Sequence, residues 1–313
     1  MSEQAPERPR ARFFSSEGYH FPIAEDHRFP IAKYALLRER LVSEGIFTAD
    51  EIAEAPLAGR DDLLRAHDPD YVDGFFDGSL EPRALRRIGL PWSPHFVRRS
   101  RASVGGTIMA ADAALATGIG GNLAGGTHHA SRDVGEGYCV FNDIVVAALG
   151  LLEADRISRV AVVDLDVHQG NGTAAIVGDD PRFSLLDMYG RRNYPFRKVP
   201  ATIDLPLEEG MQDAEYLTLL HEGLVRVLAF DPSIIFYQAG VDVLAEDALG
   251  TLLLTHEGVA ERDRMVLAAA RDNDIPIVLT LGGGYARPID ATVAAYVNTY
   301  RLVRTFVAES CTA

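Results

Sequence analysis

Hydrophobic residues in this chain gather in short continuous runs rather than in strict alternation. Val160-Ala161-Val162-Val163, Ile234-Ile235-Phe236-Tyr237 and Ile277-Val278-Leu279-Thr280 each read as a strand buried on both faces. Runs of this kind belong to parallel sheets covered on both sides. Between them, residues 100–117, 141–153, 216–228 and 255–272 carry the amphipathic spacing of helices. The alternation predicts a three-layer α/β domain around a mostly parallel sheet. Gly and Pro cluster at 81–94 and 179–206. These stretches are expected to be long loops, the usual carriers of function beside a sheet's carboxyl edge. Residues 1–12 are polar, with Pro6 and Pro9, and predict a flexible N-terminal leader. No linker divides the rest of the chain, so residues 13–313 are expected to form a single domain.

Composition narrows the setting. The 47% hydrophobic content suffices for a large core, yet no apolar run approaches the ~20 residues that span a bilayer. The N-terminus lacks the apolar segment of a signal peptide, so a cytoplasmic protein without a membrane partner is expected. Cys139 and Cys311 are too few for a disulfide framework and lack the spacing of a structural zinc site. Net charge is −15, from 45 acidic and 30 basic side chains. That argues against nucleic acid as a partner, which needs a basic footprint. It suits a cationic substrate, although solubility is the plainest reading.

Four segments bear candidate chemistry: Gly125-Gly126-Thr127-His128-His129, Asp164-Leu165-Asp166-Val167-His168, Ala239-Gly240-Val241-Asp242 and Gly282-Gly283-Gly284-Tyr285. Three of them directly follow the apolar runs. Ligand sites of open α/β sheets lie beyond the carboxyl ends of strands, so these segments can converge on one crevice. Asp164, Asp166 and His168 share one side of an extended segment by alternation. Carboxylates and an imidazole after a buried strand suit Zn²⁺ or Fe²⁺; the alternative is a cluster of caps and turns. Asp242 is a further ligand or a loop carboxylate. Two carboxylates and one histidine would leave open positions, as catalytic sites do. Gly170 and Leu244 stand where a second metal would want carboxylates, which predicts one ion. His128 and His129 are either a packed loop pair or a proton-transfer pair, with Asp164 and Asn171 as candidates to fix their tautomers. Tyr285 either donates to a developing oxyanion or caps the core.

Together these residues resemble the histone deacetylase superfamily, which includes acetylpolyamine amidohydrolases and acetoin-utilisation proteins. The resemblance runs from about Phe21 to Arg304. It is carried by the segments above, extended to Ala130, to Asp164 through Gly172, to Gln238 and to Leu281, and by Gly135-Glu136-Gly137-Tyr138-Cys139-Val140-Phe141-Asn142-Asp143. It implies an arginase/deacetylase-like fold with a central eight-stranded sheet. It implies Zn²⁺ on Asp166, His168 and Asp242, Fe²⁺ being the second choice. Asp164 then backs His128, His129 is general base and acid, and Tyr285 polarises the acyl carbonyl. Gly137, Tyr138 and Gly283 become substrate positions, with Tyr194 on the opposing tunnel wall. A structural K⁺ or Na⁺ would take carbonyls of Asp164, Asp166 and His168 with Ser184 and Leu185. Arg28 would line an internal exit channel. Many family members have aspartate where Asn171 stands, which implies a less basic His129. The Asp164–Gly172 string and the segment from His27 to Tyr34 look most like the class IV branch and its bacterial relatives.

The implied activity is zinc-dependent hydrolysis of acyl-lysine amides, acetyl or longer, in proteins or peptides. The alternatives are an acetylpolyamine or other small-amide deacetylase, and a metal-stabilised binding protein without catalysis. A two-metal ureohydrolase is disfavoured by Gly170 and Leu244. The absence of a long insertion favours a monomer.

Overall fold

The computed structural model describes residues 13–24 and 27–310, with side chains of 308–310 excepted. The expected leader and Cys311 lie outside the described residues. In chain order the elements are β1 (Phe13–Ser15), α1 (Ala32–Ser43), β2 (Ile52–Glu54), α2 (Arg60–Leu63), α3 (Pro69–Asp77), α4 (Pro82–Ile88), α5 (Pro94–Thr117), β3 (Ile119–Asn122) and α6 (Asp143–Glu153). There follow β4 (Val160–Asp164), α7 (Asn171–Val177), β5 (Phe183–Gly190), β6 (Ile203–Leu207), α8 (Asp213–Ala229), β7 (Ile234–Gln238), α9 (His256–Arg271), β8 (Ile277–Thr280) and α10 (Asp290–Ser310).

The strands form one eight-stranded sheet, ordered β2-β1-β3-β8-β7-β4-β5-β6, and every pairing is parallel. Side-chain alternation feeds two cores. Ala161, Val163, Ile235, Tyr237, Ile277 and Leu279 pack with apolar residues of α1, α8, α9 and α10. Val160, Val162, Ile234, Phe236 and Val278 pack with those of α3, α5 and α6. This is the three-layer arginase/deacetylase-like architecture, with a sheet buried on both faces.

Two expectations need correction. The stretch 81–94 contains α4, which starts at a proline, where the missing N–H costs nothing, and ends at Gly89. The stretch 179–206 contains β5 and most of β6. Ser184 and Asp187 interrupt the apolar run of β5 although both are buried. Pro206 is tolerated in β6 because that strand is at the sheet's edge.

Strand order places the site. The chain leaves β4 for β5 and β6 on one side and returns to β7 on the other, so the switch point lies between β4 and β7. The segments bearing the candidate residues follow β3, β8, β7 and β4, four neighbours in the sheet. At ~4.8 Å per strand, sequence-distant loops thus emerge within about 14 Å.

Candidate active site

Parity carries past the end of β4. Leu165 and Val167 turn into the core below, and Asp166 and His168 turn toward the cavity. Asp242 approaches from the loop after β7. Its Oδ1 accepts from Val167 N (2.9 Å), and its Oδ2 lies 2.9 Å from His168 Nδ1. Asp166 Oδ1 is 3.1 Å from the same nitrogen, and its Oδ2 accepts from Gly283 N at 2.6 Å. Ligand atoms of Asp166, His168 and Asp242 lie within 4.8 Å of one another, all buried. Gly283 is obligatory in this packing, because a Cβ there would meet Asp242 Oδ2 at 1.8 Å.

The donor set fits a divalent cation. Two fully buried carboxylates facing one imidazole are costly by burial alone. Burial pushes Asp242 up to about 7, with the neighbouring Asp166 adding to the rise. A cation between them removes that repulsion, and the Asp-His-Asp combination suits Zn²⁺ or Fe²⁺.

The tandem histidines sort their partners by geometry. His128 Nδ1 is 2.7 Å from Asp164 Oδ2, and His129 Nδ1 is 2.7 Å from Asn171 Oδ1. Their rings stack at 4.2 Å between centroids. Burial opposes a charge on His128, but Asp164 and Asp166 outweigh it and raise the imidazole to about 9. His129 moves the other way: burial, then the charges of His128 and His168, hold it well below its ordinary value. One imidazole is thus held charged and its neighbour neutral.

Tyr285, half-buried, sets its ring 6.2 Å from that of His168. Burial, with Asp166 and Asp242 beside it, raises the phenol well above 10, so it stays a hydrogen-bond donor. Tyr138 and Tyr194 line the outer cleft with Gly137, His129 and Tyr285. Tyr194 stands edge-on to His129 with centroids 5.0 Å apart. The inner cavity continues past the triad between Phe21, Phe29, Leu90, Phe96, Val140 and Phe141.

Ser184 and Leu185 do not join this group. The register of β4 on β5 sets them beside Ala161 and Val162, and Asp187 stands beside Asp164 instead. Two residues of strand are ~6.6 Å, too far from the Asp164 carbonyl for one ion. Asp187 accepts from Gly170 N at 3.0 Å, and its other oxygen has no partner among the described residues. Arg28 is exposed at the cleft mouth rather than internal. Two buried cations lie near the site: Arg99, which lines the inner cavity, and Lys33, which donates to Gly282 O at 2.8 Å.

Three supporting residues were assigned no role from the sequence. Lys33 steadies the turn before Tyr285 and sits 5.4 Å from that ring. Asp247 accepts from Tyr285 N at 2.6 Å. Glu136 accepts from Asn171 Nδ2 at 2.6 Å. Each is polar in a loop or at a helix start, where no periodicity says which way it points.

Comparison with known proteins agrees with this picture. Residues 27–300 match the histone deacetylase domain. The chain is 40% identical over 287 residues to an uncharacterized protein of Picosynechococcus sp., covering 91% of this chain and 96% of that one. It is 35% identical over 282 residues to histone deacetylase 2 of Arabidopsis thaliana, covering 87% and 73%. A solved HDAC homolog from Aquifex aeolicus superposes with a TM-score of 0.79 at 21% identity, over 93% of this chain and 83% of that one. With the domain match spanning most of its length and the fold shared, this chain belongs to the histone deacetylase superfamily.

Proposed function

We propose that the protein is a zinc-dependent deacylase that removes acetyl or longer acyl groups from lysine-type amines by attack of water. The observation that carries this reading is one cavity lined by His129, Tyr285, Asp166 and His168, with Asp242 completing the three-residue metal cradle. Asp166, His168 and Asp242 would hold the ion. A bound Zn²⁺ supplies Lewis-acid chemistry, polarising the acyl carbonyl and bringing a water pKa to about 7.

The remaining steps belong to the chain's own groups. Asn171 Oδ1 accepts a hydrogen bond from His129 Nδ1–H, which leaves Nε2 free to accept the proton of the attacking water. Tyr285 donates its hydroxyl to the carbonyl oxygen as negative charge develops there. His129 Nε2 then returns its proton to the departing amine. His128, paired with Asp164, stays charged beside this centre and helps keep His129 neutral. Tyr138 and Tyr194 flank the lysine stem, and the aromatic inner cavity receives the acyl group.

The test is hydrolysis of acetyl-, trifluoroacetyl-, octanoyl- and myristoyl-lysine fluorogenic peptides and of acetylated polyamines, with zinc-loaded protein. We expect turnover of acyl-lysine peptides that Tyr285→Phe lowers by ~10²–10³. Turnover of polyamines alone would move the assignment to small amides. A catalytically silent zinc-loaded protein would leave the binding-protein alternative.

A further inference from the structure

We propose that Glu136 is a positioning residue that sets the tautomer of His129 through the side-chain amide of Asn171. The inference rests on the reading of His129 as general base. An asparagine amide has two ends of nearly equal shape and opposite hydrogen-bonding sense. With Oδ1 toward His129, Nδ1 must carry the ring proton and Nε2 keeps its lone pair. With Nδ2 toward His129, Nδ1 must be the acceptor, the proton moves to Nε2, and the base is disarmed. Nothing within the Asn171–His129 contact itself chooses between the two.

Glu136 chooses. Its Oε1 lies 2.6 Å from Asn171 Nδ2. A carboxylate only accepts, so the amide can meet it only with the NH₂ end, and Oδ1 is left facing His129 Nδ1 at 2.7 Å. The carboxylate is itself pinned. Arg87 Nε donates to Oε2 at 2.6 Å. Glu136 is 5% exposed, so these donors also offset the cost of burying it. The backbone is tied too: Cys139 N donates to Glu136 O at 2.9 Å, and Tyr138 N donates to Ile88 O at 2.8 Å, at the end of the helix that supplies Arg87. A path of hydrogen bonds therefore runs from an arginine on α4 to the reacting imidazole.

The same geometry explains the amide at 171. An aspartate there would set one carboxylate against another at hydrogen-bond distance, and one of the two would be forced to take a proton. Positions 136 and 171 therefore act as a matched pair, acceptor behind amide.

The test uses the zinc-loaded full chain and its best acyl-lysine substrate, with the variants Glu136→Gln, Asn171→Asp and the double variant. Asn171→Asp alone is expected to lower kcat by about tenfold or more with KM nearly unchanged. In the double variant the introduced glutamine amide donates to the new carboxylate, and kcat should recover to at least the level of Glu136→Gln. Losses that simply multiply, or an Asn171→Asp enzyme as fast as wild type, would overturn the proposal. The second measurement needs no turnover: ¹⁵N NMR of the histidine rings, with His129 assigned by its loss in His129→Ala. Wild type should show the proton on Nδ1, and Glu136→Ala should show the Nε2-protonated form gaining population. An unchanged His129 tautomer in Glu136→Ala overturns the proposal whatever the substrate proves to be.

Discussion

His129 is squeezed between burial and the positive charge of His128, and this has a measurable consequence. A base must be neutral to work, and a depressed pKa keeps it neutral further into acid. The acid limb of kcat/KM should therefore fall well below pH 6.5, the ordinary histidine value; a limb at or above 6.5 would contradict the assignment. Gly137 makes a second point at this scale. Its φ is +57°, and a Cβ there would lie 2.5 Å from His129 Cδ2. Gly137→Ala should displace the imidazole and cost at least about tenfold in kcat, read by steady-state kinetics alongside a thermal melt to exclude unfolding. The residue types at this site were legible in the sequence, since tandem histidines after glycines and an Asp-x-Asp-x-His string are distinctive. Their partners were half legible. Asp164 and Asn171 stood out as candidates; spacing left open which histidine each meets, the resemblance implied Asp164 with His128 and Asn171 with His129, and the folded loops pair them in that way.

At the level of elements, legibility followed burial. β4, β7 and β8 are wholly buried apolar runs and were readable with nearly their observed bounds. β3 was not, because Gly120 and Gly121 erase its hydrophobic signature. The reason is packing: a Cβ on Gly120 would come within 2.0 Å of Ala110 O, so α5 lies too close to this strand for any side chain. The missed strand is the one that delivers His128 and His129. Because β7 lies between β4 and β8, its side chains hold the platform for three of the four loops. Ile235 is fully buried there, and Ile235→Ala should cost ~2–5 kcal/mol. Urea unfolding would check this, with a midpoint shift at constant m; a loss under about 1 kcal/mol would argue against a tightly packed strand.

For the whole molecule, metal and fold are expected to be coupled. The triad joins the loops after β4 and β7, and Gly283 from the loop after β8 donates to it. An ion bound only by the folded chain stabilises it by ~4 kcal/mol at a thousandfold excess over Kd. Chelation should therefore lower the unfolding midpoint of wild type and leave that of Asp242→Ala unmoved. Elemental analysis should find one zinc per wild-type chain and little in the variant. A chelator-insensitive wild type, or a fully loaded variant, would refute the ligand assignment. Among the described residues no helix is long and apolar enough to cross a membrane.

The sequence by itself determined the α/β class, the three central strands and the residue types proposed to hold a metal, move a proton and steady an oxyanion. It could do so because continuous apolar runs and clustered polar groups are local signals, written in consecutive residues. Tertiary structure alone decided the rest. Strand order made neighbours of β3, β8, β7 and β4. The β4–β5 register put Asp187, and neither Ser184 nor Leu185, beside Asp164. The folding of the 136–139 turn against α4 aimed Glu136 at Asn171. Each is a contact between positions far apart in the chain, set by packing and hydrogen-bond satisfaction rather than by the identity of any one residue.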